Sequence, residues 1–306
     1  MIDKLEFLIA LSRERHFGHA AETCGVTQPT FSAAIKQLEE TLGLLLVQRG
    51  ARFQSFTPEG ERVLEWAKRI VNDAQAMRQE VRAIKQGRLT GQLRIAVIPT
   101  ALAMASVLTT AFRAEHPDVR FVIRSSTSIE LLTWIDTLQV DAGITYLDNE
   151  KLGHVRTIPL YREQYRLLVA SDNPLAARTQ VSWAELGELP LCLLSPDMQN
   201  RRIIDALLRQ AGVPEKAPML ESNSHIVLFT HVLSGQWVSI LPSILTDTLC
   251  ATSALRAIPI EEPAALPIIG LVLPSRDPMP PLTAALAAKT ASVAKSLNHR
   301  GPDNCG

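Results

Sequence analysis

The stretch from residue 18 to 40, GHAAETCGVTQPTFSAAIKQLEE, limits what the chain can fold into more than any other. Ala20, Ala21 and Cys24 place small side chains on a first short helix, so that another helix can approach closely. Gly25 follows where a helix C-terminus wants a residue tolerant of positive φ, and Val26 plugs the corner. Thr27 is placed to cap the next helix with its hydroxyl. Pro29 falls in that helix's first turn, where a missing N–H costs nothing. Phe31, Ile35 and Leu38 then recur at steps of four and three and define one buried face, opposite Gln28, Thr30, Ser32, Lys36 and Glu40. Two short helices at a tight corner, the second polar at its N-terminal end, predict a helix-turn-helix whose second helix enters a DNA major groove. An ordinary helical hairpin would share the corner. The segment 47–60, VQRGARFQSFTPEG, favours DNA, because it sets Arg49 and Arg52 in a glycine-containing, wing-like loop before a Thr-Pro-Glu-Gly helix start. On this reading Gln28, Pro29, Thr30, Ser32 and Lys36 face the groove, while Arg49 and Arg52 reach phosphates or the minor groove.

Residues 7–69 resemble the winged helix-turn-helix of the LysR-type transcriptional regulators, through FLIALSRERHFGHAAE, VTQPTFSAAIKQLEETLGLLLVQR and FTPEG. The resemblance continues over nearly the whole chain. Val47 stands where that family usually has phenylalanine, Phe56 where it often has leucine, and Cys24 where it usually has leucine. Ala33 replaces a frequent arginine on the recognition helix, which leaves the base-reading pattern open.

Charge does not advertise a nucleic-acid partner. Lys plus Arg and Asp plus Glu are both 31, and residues 1–57 carry six of each sign. This balance suits a protein that reads a site with a few placed contacts and gains affinity by presenting several copies. The four cysteines, Cys24, Cys192, Cys250 and Cys305, show no metal-ligand spacing, and free thiols in a reducing cytosol are expected. The N-terminus is an amphipathic helix rather than a signal peptide, and no apolar run approaches membrane length, so a cytoplasmic protein without a membrane partner is expected.

Residues 58–88 read as one long helix after a wing domain of residues 1–57. Val63, Ala67, Ile70, Ala74, Met77, Val81 and Ile84 follow each other at alternating steps of four and three, a heptad seam. This predicts a dimerisation helix rather than a linker packed on its own domain, and a dimer supplies the paired recognition helices a two-fold site needs. Gly87 and Gly91 end the helix.

From residue 89 to 300 strands alternate with helices. LRIAVIP, VRFVIR and DAGIT are predicted strands, with helices over 100–115 and 128–137, in a doubly wound α/β layout. YRLLVAS, LPLCLL, PMLES and WVSILP form a second set with helices over 202–210 and 226–234, followed by the strand PIIGLVLP and a helix over 282–297. The family resemblance implies that this last strand returns to the first set. That gives two Rossmann-like lobes like those of periplasmic binding proteins: lobe 1 over 92–163 and 268–300, lobe 2 over 164–267. The tail 301–306 is polar and expected to be disordered.

In such a layout ligands sit at strand C-termini, where helix N-termini aim free N–H groups. The junctions here are rich in hydroxyl and amide groups and poor in ionisable ones, which favours a small carboxylate. Thr100, Ser126, Thr127, Thr145, Gln199, Asn200 and Ser239 are the candidate effector residues, and family resemblance favours Thr100, Thr127 and Gln199 as lining the cleft. Helix capping explains any one of these residues taken singly. Trp237 stands where a second glycine is common; its ring either narrows the cleft for a very small effector or packs in the core. With SPDMQNRR, this segment is similar to the family branch associated with formate dehydrogenase operons, which names formate as a candidate.

An enzyme is not indicated: the histidines are scattered, and no nucleophile elbow, P-loop or dinucleotide fingerprint occurs. The expectation is an effector-controlled, sequence-specific DNA-binding regulator without metal or cofactor. Its partners are double-stranded DNA and further copies of itself as a homodimer, with a homotetramer implied by the family and contact with RNA polymerase left open. By the same resemblance, effector binding changes DNA bending rather than releasing DNA. The alternative is a solute-binding module fused to a DNA-binding domain without effector response.

Overall fold

Phe31, Ile35 and Leu38 are fully buried, so the four-and-three spacing on the second helix of the corner does make its core face. The computed structural model describes residues 1–49, 53–148, 151–215, 217–250, 254–263 and 265–299. Arg52 and the tail 301–306 lie outside the described residues, as do the side chains of Arg49 and Ile84. The chain divides into two units, Met1–Leu89 and a second from Thr90 onward.

The first unit runs α1 (Ile2–Glu14), α2 (Phe17–Thr23), α3 (Gln28–Leu42), β1 (Val47–Arg49), β2 (Phe53–Phe56) and α4 (Pro58–Gln86). Gly25 takes φ 68° in the corner between α2 and α3, a conformation that disfavours a side chain. Thr27 holds the N-cap position of α3, but its hydroxyl pairs with that of Thr30 at 2.9 Å instead of capping an amide. Leu5, Leu8, Leu11, Ala20 and Ala21 close the core around Phe31, each large side chain contributing about 1.5–3 kcal/mol. Cys24 and Phe56 are partly buried against this core and Val47 is buried within it, which accommodates the three apolar departures. Gly60 has a separate reason: a Cβ there would meet Leu46 O at 2.0 Å, so the start of α4 lies directly on the backbone entering the wing.

Helix α4 starts where Thr57 Oγ1 accepts from Gly60 N at 2.9 Å and ends at Gly87 with φ 62°. Its side chains divide differently from a single seam. Leu64, Ala67 and Val71 are buried in the first unit's own core, and Val63 packs partly against it. Ala67 is therefore withdrawn from the intermolecular seam: three apolar side chains at helical spacing meet α1 of the same chain. Trp66, Ile70, Met77 and Val81 are exposed, and Ala74 is half-buried.

The second unit has two sheets. In lobe 1, β3 (Gly91–Val97), β4 (Val119–Ser125), β5 (Ala142–Tyr146), β6 (Val155–Arg162) and β12 (Ile268–Pro274) pair in the order β4-β3-β5-β12-β6. Helices α5 (Leu102–Glu115), α6 (Ser128–Asp136) and α11 (Pro281–His299) accompany it. In lobe 2, β7 (Tyr165–Ala170) lies between β10 (Ser239–Pro242) and β11 (Leu255–Pro259), and β8 (Cys192–Leu194) pairs with β9 (Leu220–Ser222). A parallel bridge from Leu191 to Val238 links the two groups. The lobe 2 helices are α7 (Trp183–Leu186), α8 (Gln199–Gln210), α9 (His225–Leu233) and α10 (Ser243–Leu249).

The lobe 1 sheet is mixed and the three-stranded lobe 2 sheet is antiparallel, where parallel sheets were expected. β12 runs antiparallel to β5 and β6, and β7 antiparallel to β10 and β11. The cause is the double crossover: β6 leaves lobe 1 toward lobe 2 and β12 re-enters beside it from the same end. β6, β11 and α10 had no place in the sequence-based layout. β6 contains Pro159 and alternates weakly in burial, so its pattern is that of a loop until β12 covers it. α8 starts three residues earlier than predicted, at Gln199.

Candidate DNA-binding surface and interlobe cleft

The first turn of α3 presents Gln28, Pro29 and Thr30 to solvent. Ser32 is half-buried, and Lys36 is exposed beside Glu40 at 3.8 Å. The polar row therefore lies opposite Phe31, Ile35 and Leu38, as a groove-reading helix requires. Arg49 lies in β1, which pairs antiparallel with β2. One residue that holds this surface was missed from the sequence. Glu39 is buried on α3, and its Oε1 accepts Leu46 N–H at 2.9 Å and Val47 N–H at 3.2 Å, fixing the wing to the recognition helix. Its signal was an acidic residue next to Leu38 rather than on the polar face.

In the second unit the N-termini of three helical segments meet between the lobes. They are a 3-10 turn at Pro99–Ala101, α6 and α8. There Ile98, Pro99, Thr100, Thr127, Ser128, Tyr146, Leu194, Met198, Gln199 and Asn200 enclose a cavity of about 10 Å³, room for about one water. Thr100 Oγ1 and Asn200 Oδ1 are buried there without a hydrogen-bond partner, although Thr100 comes close to the Tyr146 phenol. α8 has Met198 at its N-cap, which offers no side-chain oxygen to its first amides. Arg202 anchors the rim: its Nε donates to Gln199 Oε1 at 2.8 Å and its Nη1 to Asp197 O at 2.9 Å.

Thr100, Thr127, Gln199 and Asn200 are thus brought together, whereas three other candidates are not. Ser239 Oγ donates to Cys192 O at 2.8 Å and joins β10 to β8 inside lobe 2. Ser126 and Thr145 are buried but stand outside the cavity lining; Thr145 neighbours Tyr146 on a strand and so faces the other side of the sheet. Thr127 also caps α6 in a reciprocal capping box with Glu130. Trp237 does not narrow the cleft. It packs in the lobe 2 core, edge-on to His231 at 5.8 Å. Tyr146 and Ser128 line the cavity without having been singled out.

Tyr146 leads to the strongest polar cluster of the unit. Its hydroxyl donates to Glu163 Oε2 at 2.6 Å, Tyr165 OH donates to the same oxygen at 2.9 Å, and Asn200 Nδ2 donates to Tyr146 Oη at 3.3 Å. Burial pushes the Glu163 carboxyl up to about 7, against the lowering effect of these hydrogen bonds. A larger cavity of about 260 Å³ lies further along α8, lined largely by aliphatic side chains, with Arg201 already paired to Asp205 at 2.8 Å and Glu221 at 2.7 Å.

A winged helix-turn-helix joined by a long helix to a two-lobed α/β domain defines a DNA-binding regulator with an effector-binding domain. Residues 2–61 match the bacterial regulatory helix-turn-helix protein of the lysR family, and residues 86–293 match the LysR substrate binding domain. The chain belongs to the LysR-type family of transcriptional regulators, which are not enzymes. It is 28% identical over 281 residues to a hydrogen peroxide-inducible genes activator of Dickeya chrysanthemi, covering 91% of this chain and 90% of the relative. It is similar to a full-length OxyR variant from Pseudomonas aeruginosa with TM-score 0.73 and 26% identity, covering 96% of this chain and 99% of that one. It also shares the fold of CbnR complexed with its target DNA, with TM-score 0.67 and 19% identity, covering 96% and 99% of the two chains. The formate-related branch is corrected by the Dickeya chrysanthemi relative, a hydrogen peroxide-inducible genes activator, and by the OxyR variant. Among the described residues no helix is long and apolar enough to cross a membrane.

Proposed function

We propose that this LysR-type regulator binds operator DNA as a homodimer, assembled further into a tetramer, and changes DNA bending when a small carboxylate occupies the interlobe cleft. The observation that carries the effector reading is the small cavity where the Thr100 hydroxyl, which can donate to an anion, is buried without a partner beside the side-chain-uncapped start of α8. Unsatisfied buried polar atoms cost about 1–3 kcal/mol each, and a ligand that pairs with them recovers that cost. Helix N-termini and hydroxyls supply donors to an anion without a buried cation. The cavity holds about one water as it stands, so a carboxylate enters with some opening of the lobes. Gln28, Pro29, Thr30, Ser32 and Lys36 read the groove, Arg49 and Arg52 hold the backbone, and exposed Ile70, Met77 and Val81 on α4 meet a second copy.

A thermal-shift screen of formate, acetate, oxalate and benzoate tests the effector reading. A carboxylate at a hundred times its dissociation constant stabilises by about 2.7 kcal/mol, and Thr100→Val abolishes that shift. A shift that survives Thr100→Val moves the site elsewhere, and no shift with any acid overturns the carboxylate reading.

The relatives' names and the one-water cavity favour hydrogen peroxide as a second reading. A thiol beside the cleft is not available to react with peroxide, because residues 195–210 contain no cysteine. Burial pushes the Cys192 thiol up to about 11, away from a reactive thiolate. Peroxide that alters operator binding in a variant lacking all four cysteines would establish non-thiol sensing; loss of that response would reject it.

A further inference from the structure

Glu163 lies on the first of the two segments that join the lobes, directly after β6 and shortly before β7. Its backbone N–H donates to Pro267 O at 2.8 Å, which ties it to the second crossover. The residue is therefore at the hinge. Its carboxyl is buried and bonded to one phenol from each lobe, Tyr146 at the end of β5 and Tyr165 at the start of β7. Its other oxygen, Oε1, is buried without a partner. Tyr161 on β6 and Asp148 after β5 are the further ionisable groups acting on it, and Asp148 carries the same charge. Tyr146 and Asn200 reach from this cluster into the cleft cavity, so the carboxyl is one hydrogen bond away from anything bound there.

We infer that Glu163 is a positioning residue that sets the ligand charge the cleft accepts: an anion enters with uptake of one proton by Glu163, and ionised Glu163 excludes it. This rests on the carboxylate reading above. Two negative groups on either side of one buried phenol cannot both stay ionised cheaply, and the one with the higher proton affinity takes the proton. An ionised Glu163 also holds the Tyr146 O–H on its own Oε2. A protonated Glu163 makes a weaker acceptor, and the phenolic O–H is free to turn toward a ligand oxygen. Because Glu163 lies near neutrality through burial, the change falls within the range in which the protein can be handled.

The test uses the full-length protein, with acetate as the anionic probe and acetamide as its uncharged counterpart. Calorimetry at pH 6, 7 and 8, in buffers of different ionisation enthalpy, reads affinity and protons together. Acetate is expected to bind about tenfold more weakly at pH 8 than at pH 6, as the protonated fraction falls. At pH 8 close to one proton should be taken up per site, while acetamide shows neither effect. Glu163→Gln should bind acetate with a flat pH profile and no proton uptake. Tyr146→Phe, which removes a hydrogen bond that favours the ionised carboxyl, should shift the profile to higher pH, with an infrared band of protonated Glu163 persisting further into the alkaline range. Acetate binding of equal strength at pH 6 and 8 overturns the inference and leaves the carboxylate reading standing. A Glu163→Gln variant that keeps the wild-type profile does the same. Absence of acetate binding at every pH overturns this inference, and the carboxylate reading falls with it when formate, oxalate and benzoate fail as well.

Discussion

Glu39 and Leu46 are joined by a hydrogen bond of 2.9 Å from the Leu46 backbone N–H to a buried carboxylate, seven residues earlier in the chain. The same oxygen takes the Val47 N–H, so one side chain of the recognition helix holds the first strand of the wing. Removing it leaves two backbone donors buried without their charged acceptor. Glu39→Ala is expected to destabilise the first unit by about 2–3 kcal/mol, read by urea unfolding. It should also weaken binding to every operator sequence by releasing the wing. Unchanged stability would mean that water replaces the carboxylate.

On the DNA surface, two classes of contact separate by substitution. Gln28→Ala is expected to change which operator sequences are preferred, by about 1–3 kcal/mol at the affected base pair. Arg52→Ala is expected to weaken all sequences alike and to lower the slope of log affinity against log salt by about 1. Gel-shift titrations over a set of operator variants and salt concentrations distinguish them. Uniform loss in Gln28→Ala would remove it as a base reader.

Helix α4 offers a comparison along one element. Met77 is 60% exposed and Ala67 fully buried in its own chain. Met77→Glu should shift the oligomer toward monomer in analytical ultracentrifugation without loss of helix. Ala67→Glu should instead unfold the first unit, since a buried unpaired charge is not tolerated there. A Met77→Glu protein that stays fully dimeric would place the interface elsewhere.

Glu163 and His225, both buried in the second unit, act in opposite directions on stability. Glu163 sits near 7 in the folded protein against 4.5 for the free group, so folding favours its protonated form between those values. Its stabilising contribution is complete below about pH 4.5 and is lost as pH rises to about 7, a change of roughly 3 kcal/mol. Glu163→Gln should therefore exceed the wild type in urea midpoint at pH 8 and match it near pH 5. His225 is pushed down to about 4 by burial against 6.5. Its neutral form is favoured in the fold, and stability is lost as pH falls from about 6.5 toward 4. His225→Gln should remove that acid-side loss; identical midpoints for both variants and wild type across pH 4–8 would exclude both effects.

Gly60→Ala probes the close approach at the start of α4. The added methyl would lie 2.0 Å from Leu46 O, which already accepts the Thr57 N–H at 3.0 Å. A loss of about 1–3 kcal/mol is expected in the first unit's urea unfolding. A neutral result would show that the wing entrance moves freely.

Local chemistry was legible in the sequence. The corner at Gly25, the Phe31-Ile35-Leu38 face, the start of α4 at Thr57 and the strands β3 to β5 rest on glycine tolerance, capping and short-range periodicity, which neighbours in sequence settle. Thr100, Thr127 and Gln199 stand at strand-to-helix junctions, where capping explains each one singly, and it was the family resemblance that assigned them to one cleft. What the sequence could not decide was which of two surfaces an apolar or polar side chain would meet. Val63 and Ala67 share a heptad spacing with Met77, yet only packing against α1 withdraws the first two from the exposed face. Thr145 and Tyr146 are adjacent, yet the pleat sends only one to the cavity. Ser239 and Trp237 were absorbed by the lobe 2 interior. Glu163 was invisible as a hinge residue, because its partners Tyr146 and Pro267 reach it only when the chain crosses between the lobes twice. The sequence by itself determined the family and the elements with a clear local pattern; the tertiary structure alone decided β6, β11 and α10 and which side chains share an enclosure, because burial and hydrogen bonding are set by contacts distant in the chain.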